Sequence, residues 1–166
     1  MSETTPRLGL PLLASGQAQK EITHNEALVL LDGLVQPIVQ AVAPAAIPAA
    51  PVPGQCWIVG AGATGVWSGH DLGFALWTEG GWRFVESRTG MLAWSLGDGL
   101  PARREENGWV LGLVEARAVM IGGLQVVGGQ QAAIAEAVGG SNSDSEARIA
   151  IAAILQALRN HGLIAR

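Results

Sequence analysis

The sequence predicts a mainly β protein in which helices flank a small antiparallel module rich in tryptophan and glycine. Every aromatic side chain, six Trp and two Phe, lies within residues 54–112, among short apolar runs separated by glycines. Apolar residues at helical spacing occur on either side of that region. We therefore divide the chain into an N-terminal helix and arm (1–53), a β module (54–112), and a β segment with a C-terminal helix (113–166) for oligomerisation or attachment.

The first segment predicts one helix and a proline-rich arm. Residues 23–26, Thr-His-Asn-Glu, fit a capping box, so we expect the helix from about residue 24 to residue 35, with Pro37 ending it. One face of the helix is apolar and is expected to be buried. It carries Ala27, Leu28, Leu31, Leu34 and Val35. Four prolines within residues 44–53 then favour an extended arm.

The middle segment predicts a meander or small barrel. Strands are expected at residues 55–59, 65–67, 75–78, 82–86 and 91–94. Gly80-Gly81 is typical of a hairpin turn with positive φ at both residues. Because few other large side chains are present, we expect the tryptophans of this region to form most of its core. The alternative interpretation is an aromatic platform that stacks on sugars, with Trp67, Trp77 and Trp82 as candidate residues.

The third segment has β-like runs at 109–114 and 118–127, and the pattern at 130–138 fits either a strand or a short helix. A turn is expected at 139–143. The final helix is predicted to begin at Ser145 as N-cap and to end near Gly162, with Leu163 closing back on Leu158. Its apolar stripe could pack on its own domain or on copies of itself. The stripe comprises Ala147, Ile151, Ile154, Leu155 and Leu158.

Composition argues against several classes of partner. The formal charge is −4, and the adjacent pair Arg103-Arg104 is followed directly by Glu105-Glu106, so nucleic acid is not an expected partner. The most apolar stretch, residues 27–52, is interrupted by polar residues and prolines, and no membrane span is expected there. The N-terminus lacks the pattern of a secretory signal, so we expect synthesis in the cytoplasm. The single cysteine, Cys56, is interpreted as a buried apolar residue.

The motif G-x-G-x-x-G at residues 60–65 follows a predicted strand, as it does in dinucleotide-binding proteins. No helix is predicted after it, so we interpret it as a glycine-rich loop. His70-Asp71 with Ser68 is interpreted as a polar turn, because catalytic triads are assembled from separate elements. His24 and His161 lie near predicted helix ends.

Scattered carboxylates give no basis for a catalytic pair, because a glycosidase pair is defined by geometry. They are Glu79, Glu86, Asp98, Glu105 and Glu106. We expect Arg83, Arg88 and Arg103 to be their surface partners. We therefore predict no catalytic, cofactor-binding or metal-binding residues, and expect the protein not to be an enzyme.

Several stretches of the chain resemble a family of proteins from prophages and gene transfer agents of alphaproteobacteria. The resemblance lies in residues 10–20 (LPLLASGQAQK), 23–28 (THNEAL), 53–59 (PGQCWIV), 63–69 (ATGVWSG) and 80–84 (GGWRF). The tail, from residue 126 to residue 164, is similar to the C-terminal segment of phage tail or fibre proteins. The resemblance implies a virion component at a spike, tail tip or fibre, where oligomers of odd symmetry are usual. In gene transfer agents such proteins resemble head-spike subunits that help the particle engage the capsule of the recipient cell.

These observations favour a structural virion protein, a spike-base or fibre-attachment subunit that helps attachment to the host cell. Its expected partners are copies of itself, other virion proteins at a capsid vertex or fibre, and the host surface polysaccharide. The alternative is a carbohydrate-binding module that recognises capsular polysaccharide through exposed tryptophans.

Overall fold

The computed structural model describes residues 4–16, 20–136, 144–160 and 163–165. It confirms a mainly β fold with a helix near each end. Two compact units are present, the first ending at Leu113 and the second beginning at Val114. The elements of the first unit are helix α1 (Lys20–Leu34) and strands β1 (Ile38–Val39), β2 (Cys56–Ile58), β3 (Phe74–Thr78), β4 (Gly81–Val85), β5 (Leu92–Ser95), β6 (Leu100–Glu105) and β7 (Gly108–Leu111).

Two sheets make up the first unit. One has the strand order β1-β5-β6-β7 and the other β2-β3-β4, and every pair is antiparallel except β1 with β5. The chain just after β1 joins the two sheets, because Val42 pairs in parallel with Ile58 and the Gln40 N–H donates to the Cys56 carbonyl at 2.8 Å. The expected meander is therefore present as two connected sheets.

The inner core lies between these sheets. Its fully covered side chains come from β1, β2, β3, β5 and β6, and the ring of Trp109 on β7 meets that of Phe74 edge to face at 5.3 Å. The buried members are Val39, Cys56, Ile58, Phe74, Leu76, Ala93 and Ala102. Strands β2 and β3 are buried on both faces, which explains their nearly continuous apolar sequences.

Helix α1 differs from the prediction in its start and in its buried face. It begins by Lys20, so the proposed capping box at residues 23–26 lies inside the helix. Of the predicted apolar stripe, Ala27, Leu31 and Val35 are exposed, while Leu28 and Leu34 are half-buried and Leu34 packs against the inner core. The fully buried residues of α1 are Asp32 and Gly33. A Cβ at Gly33 would come within 2.9 Å of the Leu76 side chain, so glycine lets the helix approach β3 closely. Glu26 forms an ion pair with Arg83 of β4.

The polar residues of α1 hold the N-terminal segment, residues 4–16. The Asp32 carboxylate accepts hydrogen bonds from the Thr5 hydroxyl (2.8 Å) and from the N–H groups of Arg7 (2.9 Å) and Leu8 (2.6 Å). The Arg7 guanidinium in turn donates to carbonyls at the C-terminal end of the helix, where a cation is favoured. Asn25 makes both of its amide bonds to the backbone of Leu13, at 2.8 and 2.9 Å. Sequence reasoning missed these anchors.

Three further predictions in the β module were wrong, and one strand was missed. Residues Gly65–Trp67 form a short 3-10 helix, because Gly65 has a φ of +62° that a strand does not allow. Strand β6 was not predicted. In the β3–β4 hairpin the turn residues are Glu79 and Gly80, and the one glycine of the pair with positive φ is Gly81. Trp94 was expected in the core but is 44% exposed.

The second unit contains a two-stranded hairpin and a helix. Its elements are β8 (Val119–Ile121), β9 (Leu124–Val127) and α2 (Ser145–Asn160). Gly122 and Gly123 form the hairpin turn, and both have positive φ, as a two-residue turn of this kind requires.

The N-cap of α2 is Asp144 rather than Ser145, because its Oδ1 accepts from the Ala147 N–H at 2.9 Å. At the other end, the Leu163 N–H donates to the Leu158 carbonyl at 3.0 Å. A backbone hydrogen bond thus joins these residues, and the hydrophobic contact expected between their side chains stays a prediction. Residues 130–136 are neither strand nor helix. The predicted turn at 139–143 and the roles of His161 and Gly162 lie outside the described residues.

No helix in the described ranges is both long and apolar enough to cross a membrane.

The buried thiol of Cys56 predicts how the free energy of unfolding changes at alkaline pH. Burial raises the pKa of its thiol from 9.0 to about 12. Below pH 9 the folded and unfolded chains both keep this proton, whereas between pH 9 and 12 only the folded chain does. The free energy of unfolding should therefore fall by up to about 1.4 kcal/mol per pH unit in that range.

Denaturant titrations between pH 8 and 10.5 would show this slope, and Cys56→Ala should flatten it. The chain has no tyrosine and one lysine, so few other groups titrate there. A native thiol that reacts with a disulfide reagent as fast as a free cysteine would contradict the prediction.

Candidate functional site

The outer face of the β2-β3-β4 sheet carries a second apolar cluster, which we call the tryptophan face. Strand alternation sends Cys56 and Ile58 to the inner core and Trp57 to the outer side. Four residues of this cluster are buried, and further aromatic rings that are half-buried pack against them. Its members are Trp57, Val59, Trp67, Ala75, Trp77, Trp82 and Phe84.

The ring of Trp82 contacts three other rings of the tryptophan face. It meets those of Trp57, Trp67 and Trp77 edge to face, at centroid distances of 5.6, 5.3 and 4.9 Å. Such pairs add about 0.5–1.5 kcal/mol beyond the area they bury. Trp57, Trp67 and Trp77, which recur every ten residues along the chain, therefore all contact the ring of Trp82.

The three candidate sugar-stacking residues are not equivalent. Trp67 is 3% exposed and presents no open ring face, whereas Trp77 and Trp82 are half-buried at the edge of the cluster. A cleft of about 230 Å³ adjoins Trp67 and is lined mainly by small residues of two loops. These are Pro44, Ala45, Ala46, Ile47, Gly60, Ala61, Gly62, Ala63 and Thr64.

The indole nitrogen of Trp67 is buried without a hydrogen-bond partner in the described part of the chain. A buried, unpaired polar group usually costs free energy. Because the Trp67 nitrogen has no such partner in the residues that the structure describes, we infer that packing of its ring against Trp82 determines the position of this side chain.

The glycine loop at residues 60–65 is closed by an acidic side chain. Asp71 accepts hydrogen bonds from the N–H groups of Gly62 (2.8 Å) and Ala63 (3.1 Å). In a dinucleotide-binding loop such amides face the pyrophosphate, and an α-helix follows. Here a carboxylate of the chain takes the two amides, and a 3-10 helix of three residues follows. This geometry is that of a structural loop.

We expect Asp71→Ala to destabilise the first unit by about 1 kcal/mol, because water can replace the lost acceptor at this exposed loop. Exchange of the Gly62 and Ala63 amide hydrogens should accelerate about tenfold or more. Hydrogen exchange read by NMR would test this, with Glu79→Ala, a change in an exposed turn, as the matched control. Equal exchange in both variants would contradict it.

The other polar candidates do not converge. The ring of His70 stacks on Phe84 at 3.7 Å, while both oxygens of Asp71 serve the glycine loop, so Asp71 does not orient His70. Asp98 accepts from the Ser95 hydroxyl at 2.6 Å. No group of three His, Cys, Asp or Glu side chains arranged to hold a metal occurs among the described residues.

Of the predicted arginine partners, one is confirmed and one is wrong. Arg103 pairs with Glu105 at 2.7 Å as expected. Arg83 pairs instead with Glu26, because α1 lies over its strand.

Residues 24–110 match the family described as "Protein of unknown function (DUF2793)". That is slightly more than half of the chain. The chain belongs to the DUF2793 family. No curated protein matches it.

The DUF2793 match runs from within α1 to within β7 and so falls entirely in the first unit. It includes the tryptophan face, the glycine loop and Asp32. The segment 4–16 that Asp32 binds lies before the match, and the second unit lies after it.

The second unit, beyond the DUF2793 region, offers a different kind of candidate site. Its large apolar side chains are mostly on the surface, and Leu124 is 74% exposed. Contiguous exposed apolar surface on a soluble domain usually marks a contact with another molecule. The exposed residues are Val114, Val119, Met120, Ile121, Leu124, Val126, Val127, Ile134, Ile149, Ile151, Ile154 and Leu163.

Proposed function

We propose that this chain is a structural subunit of a phage-like particle, a gene transfer agent or a prophage virion. In this proposal it forms the base of a spike or attaches a fibre, as a homo-oligomer bound to other virion proteins, and so helps the particle to attach to a host cell. The observation that carries the proposal is the exposed apolar surface of the second unit.

The contrast between the two units supports an attachment role. The first unit has two buried clusters, one on each face of β2-β3-β4, and its N-terminal segment is held by a buried carboxylate. It resembles a rigid scaffold. The second unit buries far less of its apolar surface, so it is the part of the chain that gains most from a partner.

The setting in a virion is supported by the resemblance of five stretches between residues 10 and 84 to prophage and gene transfer agent proteins, and by that of the tail to phage tail or fibre proteins. Membership of DUF2793 is compatible with this setting and assigns no activity. The geometry of the polar candidates also favours a structural role, because Asp71, Asp98 and Glu105 each serve a local hydrogen bond or ion pair.

Locating the protein in particles tests the proposal. Particles would be purified from a producing strain that carries an epitope-tagged copy, then labelled with antibody and imaged. We expect label at spikes or at the fibre junction, and untagged particles provide the control. Particles that lack the protein yet keep all their spikes and fibres would overturn the proposal.

Carbohydrate binding is a second candidate, favoured by the half-buried rings of Trp77 and Trp82 at the edge of the tryptophan face. Sugar stacking on these rings would change tryptophan fluorescence during titration with capsular polysaccharide. Trp77→Ala should abolish that change, whereas Trp94→Ala, on β5, should leave it. A scaffold role predicts no response in any of the three proteins.

A further inference from the structure

Helix α2 carries an apolar seam with a heptad repeat, which we call the α2 seam. It consists of Ala147, Ile151, Ile154 and Leu158, spaced four, three and four residues apart. Apolar residues with an average spacing of 3.5 match the seam of a coiled coil, in which the same stripe on another helix is the natural partner. Ile154 is 59% exposed, so this seam is not covered within the unit.

The helix uses a different face for contacts within its own unit. Leu155 is the buried residue of α2, at 6% exposure. Arg159 binds the preceding segment, donating to the Glu136 carboxylate at 2.5 Å and to the Ile134 carbonyl at 2.7 Å. Leu155 and Arg159 therefore hold the helix in its unit, while Ile151 and Ile154 of the seam stay exposed.

The β8-β9 hairpin of the same unit also lacks a covering surface. Strands β8 and β9 form a two-stranded sheet in which every residue is exposed, and apolar side chains occupy both faces. An isolated two-stranded hairpin is marginally stable in water. It gains stability when a further surface covers it.

The size of the exposed surface fits one side of an interface between proteins. Leaving out Ile149, eleven exposed apolar residues of the second unit are on average about half exposed. At about 25 cal/mol per Å² and about 1.5–3 kcal/mol per fully buried side chain, each offers roughly 30–60 Å², and together they offer roughly 330–660 Å² of apolar area. A standard interface takes about 800 Å² from each partner, of which about 60% is apolar. The two areas are similar.

Charge favours a second copy over a membrane or a charged partner. Residues 114–166 contain four acidic residues and four arginines, so their formal charge is zero, whereas residues 1–113 carry the whole net charge of −4. Copies of a neutral segment do not repel one another. Helices that lie on membranes have a polar face rich in Lys and Arg, and the exposed polar positions of α2 include Glu146, Gln156 and Asn160.

We infer that the second unit associates with its own copies, with the α2 seams packed together as a short coiled coil and the β8-β9 hairpins covered beside them. This inference rests on the proposed function, which it deepens by naming the self-association surface. Isoleucine at successive a and d positions, Ile151 and Ile154, favours three or four helices over two. Two heptads are marginal alone, so the hairpins contribute to the contact.

Light scattering after size-exclusion chromatography of the full chain tests the inference. We expect a species of at least three times the 17.1 kDa chain mass, and Ile151→Glu with Ile154→Glu should convert it to a monomer. Ile149→Glu is the matched control, because Ile149 is 71% exposed on the same helix but lies off the seam. A wild-type monomer at about 100 µM, or equal dissociation by Ile149→Glu, would overturn the inference.

Cross-linking gives a test that does not depend on disrupting the fold. Ile154→Cys should form disulfide-linked copies under mild oxidation, and Ile149→Cys should not, because Ile149 lies off the seam. The native Cys56 is buried and should not contribute cross-links of its own. Equal cross-linking in both variants would refute the inference. These measurements use the purified chain and are independent of the labelling of particles. A failure of self-association can therefore be distinguished from a failure of the proposed function.

Discussion

Replacing Asp32 with alanine is expected to lower the free energy of unfolding of the first unit by about 3 kcal/mol and to release residues 4–16 from α1. The carboxylate accepts three hydrogen bonds from Thr5, Arg7 and Leu8, and all three donors lose their partner together. Each unsatisfied buried donor costs about 1–3 kcal/mol. Arg7 and Leu8 are partly accessible, so water recovers much of that loss, and the total stays at the lower end of the summed range of about 3–9 kcal/mol.

Two measurements would check this result. Chemical denaturation gives the free energy, and limited digestion with trypsin reports release of the segment, because cleavage after Arg7 requires the backbone there to open. Glu86→Ala, at an exposed carboxylate after β4, is the matched control and should change neither. If the Asp32 variant resisted trypsin as well as the control did, the anchoring role assigned to Asp32 would be wrong.

Asp32 also shows why part of the fold could not be predicted from the sequence. The apolar spacing of α1 correctly indicated a helix, but the face it selected is mostly exposed. The helix instead approaches β3 through Gly33 and holds the N-terminal segment through Asn25 and Asp32. Val29 and Leu34 also pack against the inner core. The spacing of apolar residues does not reveal the glycine and the two polar side chains that complete this face.

The strands were predicted best where the apolar run was continuous, as in β2 and β3. Strand β6 was missed because it contains Pro101 and three consecutive charged residues, which are depleted in strands. Burial of Ala102 and pairing with β5 and β7 override that preference. Strand β6 therefore forms because of its tertiary contacts, which cannot be read from the sequence.

The candidate surfaces were predictable to different extents. Helix α2 and its apolar stripe could be recognised from spacing and from the residues at its ends. Which part of the stripe stays exposed required coordinates, because only Leu155 is buried by the unit itself. Likewise the sequence suggested that tryptophans fill a core, and the structure places Trp57 and Trp67 in it but leaves Trp94 largely on the surface.

Trp57→Ala is the second change with a large expected effect, a loss of about 3–5 kcal/mol in the free energy of unfolding. Trp57 sits on β2 at the middle of the tryptophan face, is nearly fully buried, and packs against Trp82. Its removal leaves a cavity that the surrounding strands cannot fill, because β2 is fixed by pairing with β3 on one side and by the chain after β1 on the other. The midpoint of thermal unfolding should fall by roughly 10–20 °C.

Trp94→Ala removes the same side chain from a strand of the same unit, but from a position that is nearly half exposed, so it should cost less than about 1 kcal/mol. Thermal unfolding followed by circular dichroism compares the two variants directly. The difference follows from burial: the ring of Trp57 is enclosed within the tryptophan face, whereas that of Trp94 keeps contact with water before and after unfolding. Equal shifts in the two midpoints would mean that the tryptophan face is not a second core of the fold.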